Sequence, residues 1–227
     1  MNKRDKCIID DIQKFRVLSR DQIIELYFSN LSNPVSACNL VLKRLQDRNY
    51  IKACKDFRPY LYVPSESKMK ANSQKVFHFL EIANTYIEMK KYDSNLSHVQ
   101  VEPKYKKGMV EPDLFCIFQN TPFFIEIQLS IYNEKIMNEK IQRYEQFFHS
   151  NVWRDFTWQQ KEKELFPIII IITNTHYDIE SDLKILQYPS IEALMKQNSN
   201  KNKKDKPTEG LISKTKDKKD TIKIVVK

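Results

Sequence analysis

The sequence predicts a mixed α/β fold of the α+β kind in three parts: a helical N-terminal segment closed by a β-hairpin, a core ordered helix, three strands, helix, strand, and a basic tail. Three observations carry this. Apolar residues recur at helical spacing through most of the first 50 positions. The unbroken run Ile168 to Ile172 is too uniformly apolar to be anything but a buried strand. Charge is partitioned along the chain. Residues 1–70 hold 14 Lys and Arg against 8 Asp and Glu, residues 71–195 hold 13 against 17, and residues 196–227 hold 11 against 4. Net charges of +6, −4 and +7 thus make up the +9 of the 227 residues, and basic ends flanking an acidic middle point to a polyanionic partner.

In the first part, Ile8, Ile9, Ile12, Phe15 and Leu18 predict a helix from about Lys6 to Leu18. Ser19-Arg20-Asp21-Gln22 reads as a capping box, opening a second helix to Phe28. Asn33-Pro34 supplies an N-cap and a first-turn proline for a third helix, with Ala37, Leu40, Val41 and Leu45 on its inner face and an end near Asn49. Tyr50 to Cys54 and Tyr60 to Val63 are strand-like runs around a turn at Lys55-Asp56. Three helices and a hairpin are the order of a winged helix-turn-helix, assigned to residues 1–66. In that geometry the third helix enters the major groove, so Ser36, Asn39, Lys43 and Arg44 are expected to meet bases or phosphates, with Arg58 on the wing. A small helical domain for dimerisation or partner docking is the competing view of this segment.

In the second part, residues 74–195, a helix from about Gln74 to Lys91 is expected from Val76, Phe77, Leu80, Ala83, Ile87 and Met89. Strands are expected at Ser97 to Glu102, Asp113 to Phe118 and Phe123 to Leu129, then a helix Glu134 to Phe148 and the strand Phe166 to Ile172. Glu126 and Gln128 are two apart and so share one face of their strand, while the isoleucines take the other. Asp113 opens the neighbouring antiparallel strand and is expected beside Glu126. Two carboxylates so placed repel unless a divalent cation lies between them, and oxygen ligation suits Mg²⁺ or Mn²⁺. The plainer alternative is the polar edge of a half-solvated strand.

Pro112-Asp113, an apolar hairpin and Glu126-Ile127-Gln128, in an αβββαβ order, resemble the PD-(D/E)XK nuclease superfamily in its variant with Gln in place of Lys. A basic winged helix ahead of such a core, with Phe166-Pro167 leading the last strand, is similar to the replication-relaxation family of Gram-positive plasmids. The resemblance covers roughly residues 5–185. It implies Asp113 and Glu126 as ligands of Mg²⁺ or Mn²⁺, Gln128 as the residue orienting the attacking water, and Glu81 of the first core helix as a further acid, with Glu111 a lesser candidate. A neutral amide at Gln128 can position water but cannot stabilise developing negative charge as a lysine does. The implied function is a DNA-binding protein of plasmid or mobile-element replication that hydrolyses phosphodiesters with a metal. The alternative is a non-catalytic replication or copy-number regulator whose nuclease-like core is a scaffold, and a third option is an adaptor using the basic tail to hold a partner protein.

His78, one helical turn before Glu81, lies near enough to approach the same site, while His98, His149 and His176 lack a partner at ligand spacing. None is expected to be a catalyst. Lys135, Lys140 and Arg143 are expected to form a solvated face, and Trp153 and Trp158 to anchor an irregular loop. Cys7, Cys38, Cys54 and Cys116 are too scattered for a zinc site. Only two glycines occur, which excludes glycine-rich phosphate loops. No apolar stretch approaches the ~20 residues of a membrane span, and no apolar core of a secretory signal follows Met1, so a cytoplasmic protein is expected. DNA is the expected partner, with replication proteins or a second copy of the chain compatible with the same reading. The tail, residues 196–227, is expected to be disordered, acting as a solubilising segment or a DNA-contacting arm, with Ile222 to Val226 as a candidate edge strand.

Overall fold

The computed structural model describes residues 1–69, 73–159 and 162–204, with side chains described as far as 197. Six α-helices and two sheets form the described residues, a mixed α+β arrangement.

Helix α1 (Lys3–Phe15) is capped by the Asn2 side chain, which accepts from Asp5 N at 2.8 Å, and it buries Ile8, Ile12 and Phe15. It starts and stops three residues earlier than its stripe suggests, because Arg16 turns the chain out of the helix at φ 65°. Val17 and Leu18 are then buried in extended backbone, and strand β1 (Leu18–Ser19) pairs with a later strand of the hairpin. The expected capping box is present on α2 (Arg20–Tyr27): Ser19 Oγ accepts from Gln22 N at 3.1 Å, and Ser19 N donates to Gln22 Oε1 at 2.9 Å.

Helix α3 (Pro34–Asp47) begins on its proline without a side-chain bond from Asn33. Its inner face consists of Cys38, Val41, Leu42 and Leu45. Leu40, expected inside, is 70% exposed. The stripe is rotated because Cys38 and Leu42, each two residues from Leu40 and one turn apart, fill the interior positions on the opposite side of the helix. Strands β2 (Ile51–Cys54) and β3 (Leu61–Pro64) form the hairpin, and the small antiparallel sheet has the order β1-β3-β2. The turn is longer than Lys55-Asp56, and the Arg58-Pro59 peptide within it is cis.

Helix α4 (Gln74–Tyr92) leads into a five-stranded sheet: β4 (Ser97–Val101), β5 (Leu114–Phe118), β6 (Thr121–Ile127), then α5 (Glu134–His149) and a 3-10 turn (Val152–Asp155), then β7 (Ile168–Ile172) and β8 (Ile185–Tyr188). Strand order follows the numbering, with β4, β5 and β6 antiparallel and β6, β7 and β8 parallel. The β5–β6 turn is made by Gln119 and Asn120, both at positive φ (47° and 59°), as the right-handed twist of the strands favours. Helix α4 and α6 (Ile191–Lys204) cover one face, packing on Ile125, Ile127, Ile170 and Ile172. Helix α5 covers the other with Met137, Ile141, Tyr144 and Phe147 against Phe124, Ile169 and Ile171. Covering both faces explains why β7 is apolar at every position.

Strand β8 and helix α6 extend the expected order. Helix α6 runs past residue 195 into the segment read as tail. Its start is held by Glu88 of α4, whose carboxylate accepts from Ile191 N at 3.2 Å and Glu192 N at 2.8 Å. Ile222 to Val226 lie outside the described residues. The apolar cluster under α4 continues without a break into α1, α2 and α3, across the boundary expected between residues 66 and 74. Seven described residues other than glycine adopt positive φ: Arg16, Asn49, His98, Glu102, Gln119, Asn120 and Asn151. The cysteines are free, and among the described residues no helix is long and apolar enough to cross a membrane.

Candidate functional site

Two clefts collect the residues that chemistry singles out. The first, about 750 Å³, lies between α3 and the hairpin and is lined by Arg20, Asn39, Lys43, Asp47, Lys55 and Arg58 among others. Four cations and one carboxylate line it, and of the cations Arg20 is paired with Asp21 at 2.9 Å, so that the wall is positive through Lys43, Lys55 and Arg58. Arg58 is fixed in place, donating from Nη1 to the carbonyls of Lys55 at 2.5 Å and Phe57 at 2.9 Å with its guanidinium 4.5 Å from the Tyr60 ring centroid. Asn39 and Lys43 are exposed on the outer face of α3, where Ser36 also lies without lining the cleft. Arg44 is turned the other way. Its Nη2 is 2.5 Å from Oδ2 of the buried Asp5, so it fastens α3 to α1.

The second cleft, about 500 Å³, opens where the N-terminal turns of α4 meet the ends of β5 and β6. Extending the Leu114↔Ile125 register by one residue sets Asp113 opposite Glu126, as expected. Asp113 is held from two sides: Oδ1 is 2.9 Å from His78 Nε2, and Oδ2 accepts from Ile127 N at 2.7 Å. The His78 imidazole is pushed above its usual pKa by the hydrogen bond to Asp113, against the opposing effect of burial, with the Asp113 charge adding to the rise.

Glu126 lies behind the cleft and only 2% exposed. Its Oε1 accepts from Tyr144 Oη at 2.5 Å and its Oε2 is 2.6 Å from Lys140 Nζ. Burial pushes the carboxyl up to about 7, although the Lys140 ammonium pulls in the other direction. Burial lowers the Lys140 pKa, but the charges of Glu126 and Asp113 outweigh it and the net shift is upward. Burial and the Glu126 charge hold the Tyr144 phenol well above its ordinary range.

Lys140 is therefore not part of a solvated face. It falls three residues after Met137 and four before Tyr144, within the buried stripe of α5, and a lysine there requires an anionic partner. That spacing was the available signal for it. Gln128 follows the last residue of β6, and its backbone N donates to Ile172 O at 2.9 Å. Its side chain folds onto its own loop, Nε2 donating to Ser130 O at 2.5 Å. Glu81 does not line the cleft. Its carboxylate accepts from Asn84 Nδ2 at 3.0 Å, and Asn84 Oδ1 accepts from Gln22 Nε2 at 2.6 Å, a chain that joins α4 to α2. His78 reaches Asp113 instead. Glu111 is exposed near Lys104, at 3.8 Å.

The donor set does not fit a divalent cation as arranged. Asp113 faces the cleft while Glu126 does not, and both Glu126 oxygens are already taken, by Tyr144 Oη and Lys140 Nζ. Among the described residues no group of three His, Cys, Asp or Glu is placed to hold a metal ion. What the site offers is an imidazole fixed by a carboxylate and an ammonium paired with a buried carboxylate around one opening.

No family model, no curated protein and no solved structure matches the chain.

Proposed function

We propose that the chain is a DNA-binding protein of the plasmid or mobile-element replication type, acting as a non-catalytic regulator that holds duplex in the cleft between α3 and the hairpin. The observation that carries this is the convergence of Arg20, Lys43, Lys55 and Arg58 on that cleft with Asn39 on the adjoining helix. The order of three helices and a hairpin supports the winged-helix reading, in which α3 enters the major groove. The juxtaposition of Asp113 and Glu126 across β5 and β6 supports a PD-(D/E)XK-like ancestry for the core. The ammonium on Glu126 favours a scaffold over a metal-dependent hydrolase.

Fluorescence anisotropy with labelled duplex tests it. Binding is expected to weaken steeply with salt, and Lys43→Ala and Arg58→Ala are each expected to weaken it and to lower the salt slope by about 1. Unchanged affinity in both variants would sink the proposal. A second reading, phosphodiester hydrolysis, is favoured by one observation: Asp113, His78 and Lys140 face the same opening. Nicking of supercoiled plasmid with Mg²⁺ or Mn²⁺, abolished by Asp113→Ala, would establish it in place of the regulator.

A further inference from the structure

The hairpin turn that borders the first cleft touches the helix that borders the second. Phe57, in the hairpin turn between Lys55 and Arg58, meets Phe77 of α4 edge to face with ring centroids 6.1 Å apart. Phe77 also lines the second cleft and is 52% exposed. The helical stripe would have buried it; it stands at that contact instead. Leu129, 56% exposed, lines the same cleft, and Ile131, 81% exposed, follows it in the loop after β6. Exposed apolar side chains beside one opening offer a surface to a partner with apolar faces.

We infer that the second cleft takes an unpaired stretch of DNA, so that the protein binds a junction between duplex and single strand. The inference rests on the duplex-binding reading of the first cleft and adds a substrate class to it. Three features select unpaired bases over other occupants. Phe77 gives the rim an aromatic face, on which every base can stack irrespective of sequence. Lys75 at the exposed start of α4 supplies positive charge for the phosphates that accompany those bases, while His78 and Lys140 are paired with Asp113 and Glu126. A volume of about 500 Å³ is of the size that takes a small molecule, room for individual bases. The contact between Phe57 and Phe77 sets the turn that carries Arg58 beside the second cleft. The apolar tip at Ile131 is the kind of side chain that enters between unstacked bases.

The experiment compares a blunt duplex, the same duplex with a single-stranded overhang of about ten thymines on either end, and the thymine strand alone. The overhang is expected to raise affinity at least about fivefold, the lower end of what one base–aromatic stack contributes. Phe77→Ala and Ile131→Ser are each expected to remove that gain while leaving blunt-duplex affinity unchanged. Both side chains are exposed enough for the fold to tolerate the change, which thermal unfolding checks. A 2-aminopurine placed in the overhang should change its fluorescence on binding in the wild type and not with Phe77→Ala. Equal affinity for blunt and overhanging DNA overturns the inference, as does a gain that survives both substitutions. Loss of a dimer in sedimentation with Ile131→Ser, at unchanged DNA affinities, assigns the rim to a second copy and overturns it too. If no blunt duplex binds at low salt, the duplex reading fails by itself. Binding of the thymine strand alone that Phe77→Ala abolishes then upholds the cleft assignment, and its absence overturns both.

Discussion

Lys140 and Glu126 form the most consequential pair of residues in the core, since Glu126 is buried, Lys140 largely so, and each is held by the other. Removing one partner of a buried pair leaves an uncompensated charge, so Lys140→Met is expected to destabilise the protein by about 3–5 kcal/mol at pH 8. Glu126 titrates near 7 in the fold, so at pH 5 the carboxyl is neutral and the penalty should shrink. Urea unfolding at the two pH values measures this, and an equal loss at both would contradict the assignment. The wild type has its own pH dependence with a definite sign. The folded Glu126 keeps a proton that the unfolded chain releases above about 4.5, so stability falls as pH rises from there to about 7 and is flat beyond. His78 acts in the same sense: its raised folded pKa contributes stability below its ordinary 6.5 that is lost as pH climbs through the folded value. Glu126→Gln should flatten the lower part of the decline and His78→Asn the upper part.

Helix α3 separates two basic residues that are adjacent in sequence. Lys43 faces the cleft and Arg44 faces Asp5. Lys43→Ala is expected to weaken DNA binding with stability changed by no more than about 0.5 kcal/mol, as at ordinary surface sites. Arg44→Ala should lower the melting temperature, leaving Asp5 buried without its cation, and affect DNA only through unfolding. Anisotropy and melting measured side by side distinguish these, and the reverse pattern would mean that α3 is rotated. Arg44 could not be placed by helical phase because Asp5, 39 residues away, decides where it points. The same limit hid which carboxylates Lys140 and His78 meet, since Glu126 and Asp113 come from other elements, although the helical position of each was readable. By contrast the Ser19–Gln22 capping box was legible in full, since both of its bonds lie within four residues; Ser19→Ala should cost about 1 kcal/mol. The apolar run of β7 was equally plain. Strand β8 escaped notice because Ile185 to Tyr188 is short and only half buried, and α6 because its stability comes from Glu88, 103 residues before its first turn.

At the scale of the whole molecule, helices α2 and α4 share an apolar core and a polar link, Gln22 donating to Leu80 O at 2.8 Å and to Asn84. The helical N-terminal part and the sheet are therefore expected to melt together, in one calorimetric transition whose van't Hoff and calorimetric enthalpies agree. Two resolved transitions would show that the shared core contributes little. The poverty in glycine has a further consequence for the chain as evolvable material. With left-handed backbone entrusted to side-chain-bearing residues, the turns retain mutational headroom. At the β5–β6 hairpin, Gln119-Asn120 stands where Asn-Gly is the preferred pair, so Asn120→Gly should raise the unfolding free energy by roughly 0.5–1 kcal/mol without touching either cleft. A hardened variant of that kind would tolerate the more damaging substitutions at Lys140 and Asp113 that functional dissection of the core requires.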